Sequence, residues 1–123
     1  MADARATTVR KGPVQEVGLE GDDVKLALLL IQRCGPADPA ALATRPAVIT
    51  HDPRNGVRNV GMYRMQVIDR ATTFMHWQIH KDGRADWLAT DGRLPVAGAL
   101  GPDLLPPYPP TARVPKHITE ISP

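Results

Sequence analysis

The stretch PAVITHDPRNGVRNVGMYRMQVIDRATTFMHWQIHKDG, residues Pro46 to Gly83, carries the pattern from which the fold is read. Its apolar run Ala47-Val48-Ile49-Thr50 ends in Asp52-Pro53-Arg54-Asn55-Gly56, and extended chain resumes as VRNVGMYRMQVID. Turn chemistry of this kind, with Gly56 available for a positive-φ corner, joins two antiparallel strands. On the return strand, period two sets Arg58, Val60, Met62, Arg64 and Gln66 on one face and Val57, Asn59, Tyr63, Met65 and Val67 on the other. Gly61 interrupts that parity. A glycine within a strand marks a bulge or a close backbone approach, and a bulge there turns Asn59 and Arg64 towards the same side.

Beyond the Asp69 to Thr73 turn, His76, Gln78 and His80 alternate with Met75, Trp77 and Ile79. That predicts a strand over 74–80 with one packed and one polar face. Lys81-Asp82-Gly83 ends it. Arg84 to Thr90 reads as a short helix closed by Gly92, and Leu94 to Leu100 as a further buried strand. Towards the N-terminus, Pro13 to Leu19 reads as a short strand and Val24 to Ile31 as core. The pattern leaves Val24 to Ile31 open between strand and helix, with extended chain preferred. Ala40 to Arg45 suits one helical turn. Residues 1–12 read as a flexible leader, 13–101 as one domain, and 102–123 as an arm, because seven prolines follow Gly101.

The 123 residues suffice for one modest core. Only 4% of them are aromatic, so aliphatic side chains must fill most of it. A formal charge of +2 arises from interspersed Lys, Arg, Asp and Glu, without the basic run that tracks a phosphate backbone, so nucleic acid is not expected as a partner. The lone cysteine, Cys34, excludes an internal disulfide. The start MADARATTVRKG lacks the apolar core of a secretory signal, which predicts a cytoplasmic protein. No apolar run reaches the ~20 residues that cross a bilayer, so no membrane partner is expected.

Few side chains carry chemistry on their own. On a strand His76 and His80 stand ~13 Å apart at ~3.3 Å per residue, too far to share one metal ion. Cys34 reads as a structural thiol, having no histidine or cysteine beside it. Lys11, Arg58, Arg64 and Arg70 suit surface charges. Arg58 and Arg64 also suit an anion site, because both flank Asn59 and Gly61 on a largely apolar strand, where a guanidinium needs a carboxylate or phosphate. No phosphate-binding loop, dinucleotide fingerprint or Ser-His-Asp order is present.

Read as a whole, DPRNGVRNVGMYRMQVIDRATTFMHWQIHKDG resembles the signature of the UbiD-type decarboxylases, carboxy-lyases that use prenylated FMN. The matching residues are Asp52-Pro53, Gly56, Arg58 to Arg64, Gln66-Val67, Met75-His76-Trp77 and His80-Lys81, in order and spacing. GPVQEVGLEGDDVKL and LPVAGALGPD resemble the segments before and after it. The resemblance implies a fold that is mostly β with minor helix, a partial split β-barrel of the flavin-reductase-like kind, whose unpaired edges need a partner. It also implies a decarboxylase of an aromatic or unsaturated carboxylic acid, or a short subunit of one. The partner would be a second copy of the chain or a larger decarboxylase subunit.

By position, the resemblance makes Asn59 a ligand of a divalent cation, commonly manganese, and aligns His80 with a histidine that ligates metal in some members. Met62, Tyr63 and Arg64 fall on the cofactor-binding turn, with Arg64 also facing the substrate carboxylate as the catalytic residue. Further cofactor contacts fall on His76, Trp77, Gln78, Lys81 and Asp82, and potassium is an optional second ion. Full-length members are several times longer and carry a later metal glutamate, a catalytic acid and a dimerisation domain. Glu120, in the context HITEIS, resembles the segment upstream of that glutamate rather than the ligand. A non-catalytic module that binds flavin phosphate or a decarboxylase subunit is therefore the alternative, and a flavin-binding split-barrel oxidoreductase the third.

Overall fold

The structure, a computed structural model, describes residues 9–29, 31–33, 35–37, 40–43 and 45–101. The arm over 102–123, most of the leader, and Cys34 lie outside the described residues. The described chain forms six strands, β1 (Leu42–Ala43), β2 (Ala47–His51), β3 (Arg58–Met62), β4 (Met65–Val67), β5 (Thr73–Met75) and β6 (Ala97–Ala99), with one α-helix, α1 (Asp82–Leu88). Two three-stranded antiparallel sheets result, in the orders β3-β2-β6 and β1-β4-β5. The fold is mostly β, with no closed barrel among the described residues, as a partial split barrel requires.

The hairpin forms as its turn chemistry dictates. Gly56 adopts φ +72°, and its N–H donates to the Asp52 carbonyl at 2.7 Å. The Asp52 carboxylate caps the Arg54 N–H at 2.9 Å and accepts two bonds from the Arg54 guanidinium, at 2.9 and 2.8 Å. Val57 N–H donates to the Asn55 side-chain oxygen at 2.9 Å, so the loop satisfies its own donors before His51 pairs with Arg58.

From His51↔Arg58 to Ala47↔Met62 the register runs without interruption, so no bulge exists at Gly61. Close approach is what requires the glycine: a Cβ there would stand 2.6 Å from the Tyr63 ring. The return strand is not one strand either. Tyr63 and Arg64 leave the first sheet, and β4 begins in the second, which breaks the expected period-two faces after Met62. Arg64 is thereby separated from the face of Asn59.

Further expectations are overturned. The strand over 74–80 stops at Met75, because β4 offers no partner before Met65. His76 N–H then takes the Arg64 carbonyl at 3.0 Å, and Lys81 N–H closes a turn on Gln78 at 3.1 Å. Ile79, assigned to the packed face, is exposed. Pro13–Gln15 is a short 3-10 turn, closed by Gly12 N–H on the Gln15 side chain, and not a strand. The described residues of Val24 to Ile31 are not core: Leu26–Leu28 makes another 3-10 turn, and Leu28 and Leu29 are exposed. This segment is held from outside, by the Arg70 guanidinium on the carbonyls of Asp22 and Val24 and by Leu26 N–H on the Arg70 carbonyl. In place of a helical turn, Leu42–Ala43 pairs with Gln66 and Met65 as an edge strand. β6 pairs with β2 but is exposed at Ala97 and Gly98, so it is not a buried strand.

The core is small. Among the described residues, Ala47, Val48, Val60 and Tyr63 are the buried hydrophobic ones, with Pro46 beside them, and α1 packs over β2 and β3. Phe74, Val14 and Leu88 are exposed. Replacing Gly61 by alanine is expected to drive the new Cβ into the Tyr63 ring and lower stability by about 1–3 kcal/mol, the range for overpacking a filled site. Gly56→Ala forces the left-handed region at about 1–2 kcal/mol, without displacing any ring. Urea unfolding of both variants, followed by tryptophan emission, checks the comparison: the native spectrum changes only in Gly61→Ala.

Candidate functional site

Tyr63 is the centre of the site. It is 4% exposed, and its ring fills the space left by two glycines: a Cβ on Gly83 would stand 2.9 Å from the phenol oxygen, as one on Gly61 would collide with the ring edge. The phenol oxygen accepts the Gly83 backbone N–H at 3.1 Å, which ties the first turn of α1 to the end of β3. Burial pushes the phenol's pKa up; Gly83 oppositely stabilises the phenolate, and a side-chain hydrogen bond from Asn59 acts in the same sense as Gly83. Trp77 packs edge-on to Tyr63 with centroids 6.3 Å apart, and Trp87 of α1 lies 6.2 Å beyond Trp77.

A polar chain leads from Tyr63 into the sheet. Asn59 and Thr50 face each other across the β2–β3 pair, and the Asn59 amide donates to the Thr50 hydroxyl oxygen at 3.1 Å. Thr50, fully buried, donates in turn to the Asp86 carboxylate at 2.6 Å. Asp86 is 5% exposed on α1, and burial raises its pKa above the ordinary carboxylate value, opposed by the Thr50 bond and reinforced by the nearby charges of Asp52 and Asp82. Thr50, Gly83 and Asp86 were invisible as site residues in sequence. Thr50 was read only as a strand residue, and the signal that could have found it is a hydroxyl at a buried register position opposite an asparagine, which needs the pairing to be known.

The residues singled out in sequence separate into three groups. Tyr63, Asn59 and Trp77 belong to the cluster just described, with Met62 half-buried at the end of β3. Arg64 and His76 come together at the junction of β4 and β5. Their backbones are bonded, and both side chains line an open cleft of about 310 Å³ with Leu42, Gln66, Phe74 and Met75. Arg64 is exposed. Gln78, His80, Lys81 and Asp82 sit on the exposed turn that enters α1, with Lys81 at its N-cap and Asp82 in its first turn. No strand runs from His76 to His80, so the 13 Å spacing argument does not hold. His80 and Asn59 are assigned to different elements, and no group of three or more His, Cys, Asp or Glu able to hold a metal exists among the described residues.

A second, more apolar hollow of about 570 Å³ lies between Met75, Trp77, Trp87 and the segment Gly92 to Val96. The Trp77 indole nitrogen is buried and has no hydrogen-bond partner in the structure. No helix among the described residues is long and apolar enough to cross a membrane.

The chain matches, over residues 6–122, the family described as 3-octaprenyl-4-hydroxybenzoate carboxy-lyase Rift-related domain. It belongs to the UbiD family of decarboxylases, in the Rift-related domain. An uncharacterized protein of Aquifex aeolicus is 42% identical over 121 residues, covering 96% of this chain and 25% of that protein. Another, from Archaeoglobus fulgidus, is 44% identical over 115 residues, covering 90% of this chain and 23% of that protein. The chain therefore spans about a quarter of the length of these relatives.

Asp86 makes stability depend on pH. A carboxyl whose folded pKa exceeds its unfolded value binds more protons in the folded state between the two values, so stability falls as pH rises through that window. Replacing Asp86 by asparagine is expected to remove this decline above the unfolded pKa of 3.8. Urea midpoints measured from pH 3.5 to 7 read it, with the two proteins' curves diverging upwards for the variant as pH rises.

Proposed function

We propose that the chain is the cofactor-binding part of a UbiD-type carboxy-lyase, acting on an aromatic or unsaturated carboxylic acid with prenylated FMN and a divalent cation such as manganese, with potassium an optional second ion. The observation that carries this reading is the meeting of two separated motif segments. The His76 N–H bonds the Arg64 carbonyl while Trp77 packs on Tyr63, so Met62-Tyr63-Arg64 and Met75-His76-Trp77 lie side by side.

The donor chemistry suits such a cofactor. An amide oxygen, as Asn59 can offer, is a hard ligand of the kind manganese or magnesium accepts, and Lys81 adds charge for a phosphate. The unpartnered indole N–H of Trp77 is a donor awaiting an acceptor. The donors here are fewer than a closed coordination shell, so the flavin phosphate and another polypeptide would complete the metal's ligands. His80, on the exposed turn, is the second candidate ligand from this chain.

Arg64 would hold the substrate carboxylate through paired N–H bonds, fixing the bond to be broken against the cofactor. Prenylated FMN, when bound, supplies the electron sink for the bonding pair as carbon dioxide leaves. Tyr63 does not face the substrate; its work is to hold β3, the Trp77 ring and the start of α1 in one arrangement. The replacing proton would come from the rest of the assembly, which we take to be a homo-oligomer or a larger decarboxylase subunit. Exposed apolar side chains such as Phe74, Ile79 and Leu88 support that need for a covering surface. We place the protein in the cytoplasm, with 13–101 as its folded domain between a leader and a proline-rich arm.

A second reading, a binding module without turnover, is favoured by the small number of metal donors among the described residues. Arg64→Ala distinguishes the two. In the assembled enzyme, decarboxylation is expected to fall about 10- to 100-fold, the worth of a charge-assisted hydrogen bond. If the chain only binds, flavin affinity changes and no turnover exists to lose. Asn59→Ala should abolish the manganese dependence of flavin binding, read by cofactor absorbance; retained dependence would remove Asn59 from the metal site.

A further inference from the structure

An asparagine side chain presents either its oxygen or its nitrogen to a ligand, and the two ends have nearly the same shape. Which end faces outwards is decided by the partners of the other end. Here those partners are visible. Thr50 has one hydroxyl proton, and at 2.6 Å from an Asp86 oxygen that proton is committed to the carboxylate. The Thr50 oxygen can then only accept, and what faces it at 3.1 Å is the Asn59 NH₂. The amide nitrogen is thereby the end held within the fold, and the amide oxygen is the end left over.

We propose that Thr50 and Asp86 are positioning residues which fix the orientation of the Asn59 carboxamide, so that its oxygen, and not its nitrogen, is the atom offered to a cation. This inference rests on the reading of Asn59 as a metal ligand, but the orientation can be measured without any metal. Thr50 lies on β2, Asp86 on α1 and Asn59 on β3, so the device depends on α1 packing over the hairpin and is not written in any one segment. Neither Thr50 nor Asp86 touches the cation in this arrangement. Each acts through Asn59, as the outer partners of metal ligands do when they hold a ligand in one orientation.

The test compares wild type with Thr50→Val, which removes the acceptor while keeping the shape, Thr50→Ser, which restores it, and Asp86→Ala, which frees the Thr50 proton. The first readout is proton exchange with water at the Asn59 side-chain amide, observed by NMR and assigned with Asn59→Asp. Exchange is expected to be at least tenfold faster in Thr50→Val and Asp86→Ala and close to wild type in Thr50→Ser; unchanged exchange in Thr50→Val overturns the proposal. Asp86→Ala decides the same point if Thr50→Val does not fold. The second readout is binding of Mn²⁺ in the presence of FMN, followed by electron paramagnetic resonance. Affinity should fall about 10- to 100-fold in Thr50→Val and recover in Thr50→Ser, and equal affinity in all variants overturns the positioning role. Should wild type bind no Mn²⁺, the metal reading of Asn59 falls, and the exchange rates alone decide whether the amide is oriented.

Discussion

The contact between Tyr63 and the two glycines is the constraint on which the described structure depends. Gly61 lets the ring lie against β3, and Gly83 lets α1 come close enough for its backbone N–H to reach the phenol oxygen. One side chain thus joins the end of the first sheet, the start of the helix and the Trp77 ring that follows the second sheet. A buried N–H and a buried phenol oxygen satisfy each other there, which removes a desolvation cost that either would carry alone. With only Ala47, Val48 and Val60 as further buried hydrophobic residues among those described, that junction has unusual weight.

Around it the molecule is thinly packed. Arg70 gathers the segment before β1 by carbonyl contacts and not by burial, and the Asp69 side chain caps the adjacent turn through the N–H groups of Ala71 and Thr72. These capping bonds hold the Asp69 pKa below the ordinary carboxylate value. Local hydrogen bonding therefore does work that a larger core performs in bigger domains. A fold so built leaves apolar side chains and sheet edges outside, in keeping with a chain that spans about a quarter of its relatives' length.

Polar groups divide between two uses. Thr50, Asn59 and Asp86 are bonded to one another and Tyr63 to the Gly83 N–H, which gives each a defined orientation. Arg64, His76, Gln78 and Lys81 are exposed. An inward network that orients and an outward set that contacts is the division of labour expected where a site is preorganised on strands.

By itself the sequence determined the elements whose causes are local. The Asp52 to Gly56 turn, the hairpin it closes, the short helix near Arg84 and the family signature all follow from neighbouring residues, because turn dihedrals, capping and spacing act within a few positions. It also marked Asn59, Tyr63, Arg64, His76 and Trp77 as the residues of interest. Tertiary structure decided what depends on distant partners. Val24 to Ile31 looked like core because hydrophobicity was its only signal, yet no strand among the described residues pairs with it. The alternation after Phe74 predicted a long strand, but a strand extends only while its neighbour does, and β4 starts too late. Gly61 could be read as bulge or close approach, and the choice required knowing that Tyr63 folds back over it. Thr50 and Asp86 stand 36 positions apart, and only the packing of α1 on the hairpin brings a hydroxyl and a carboxylate within 2.6 Å.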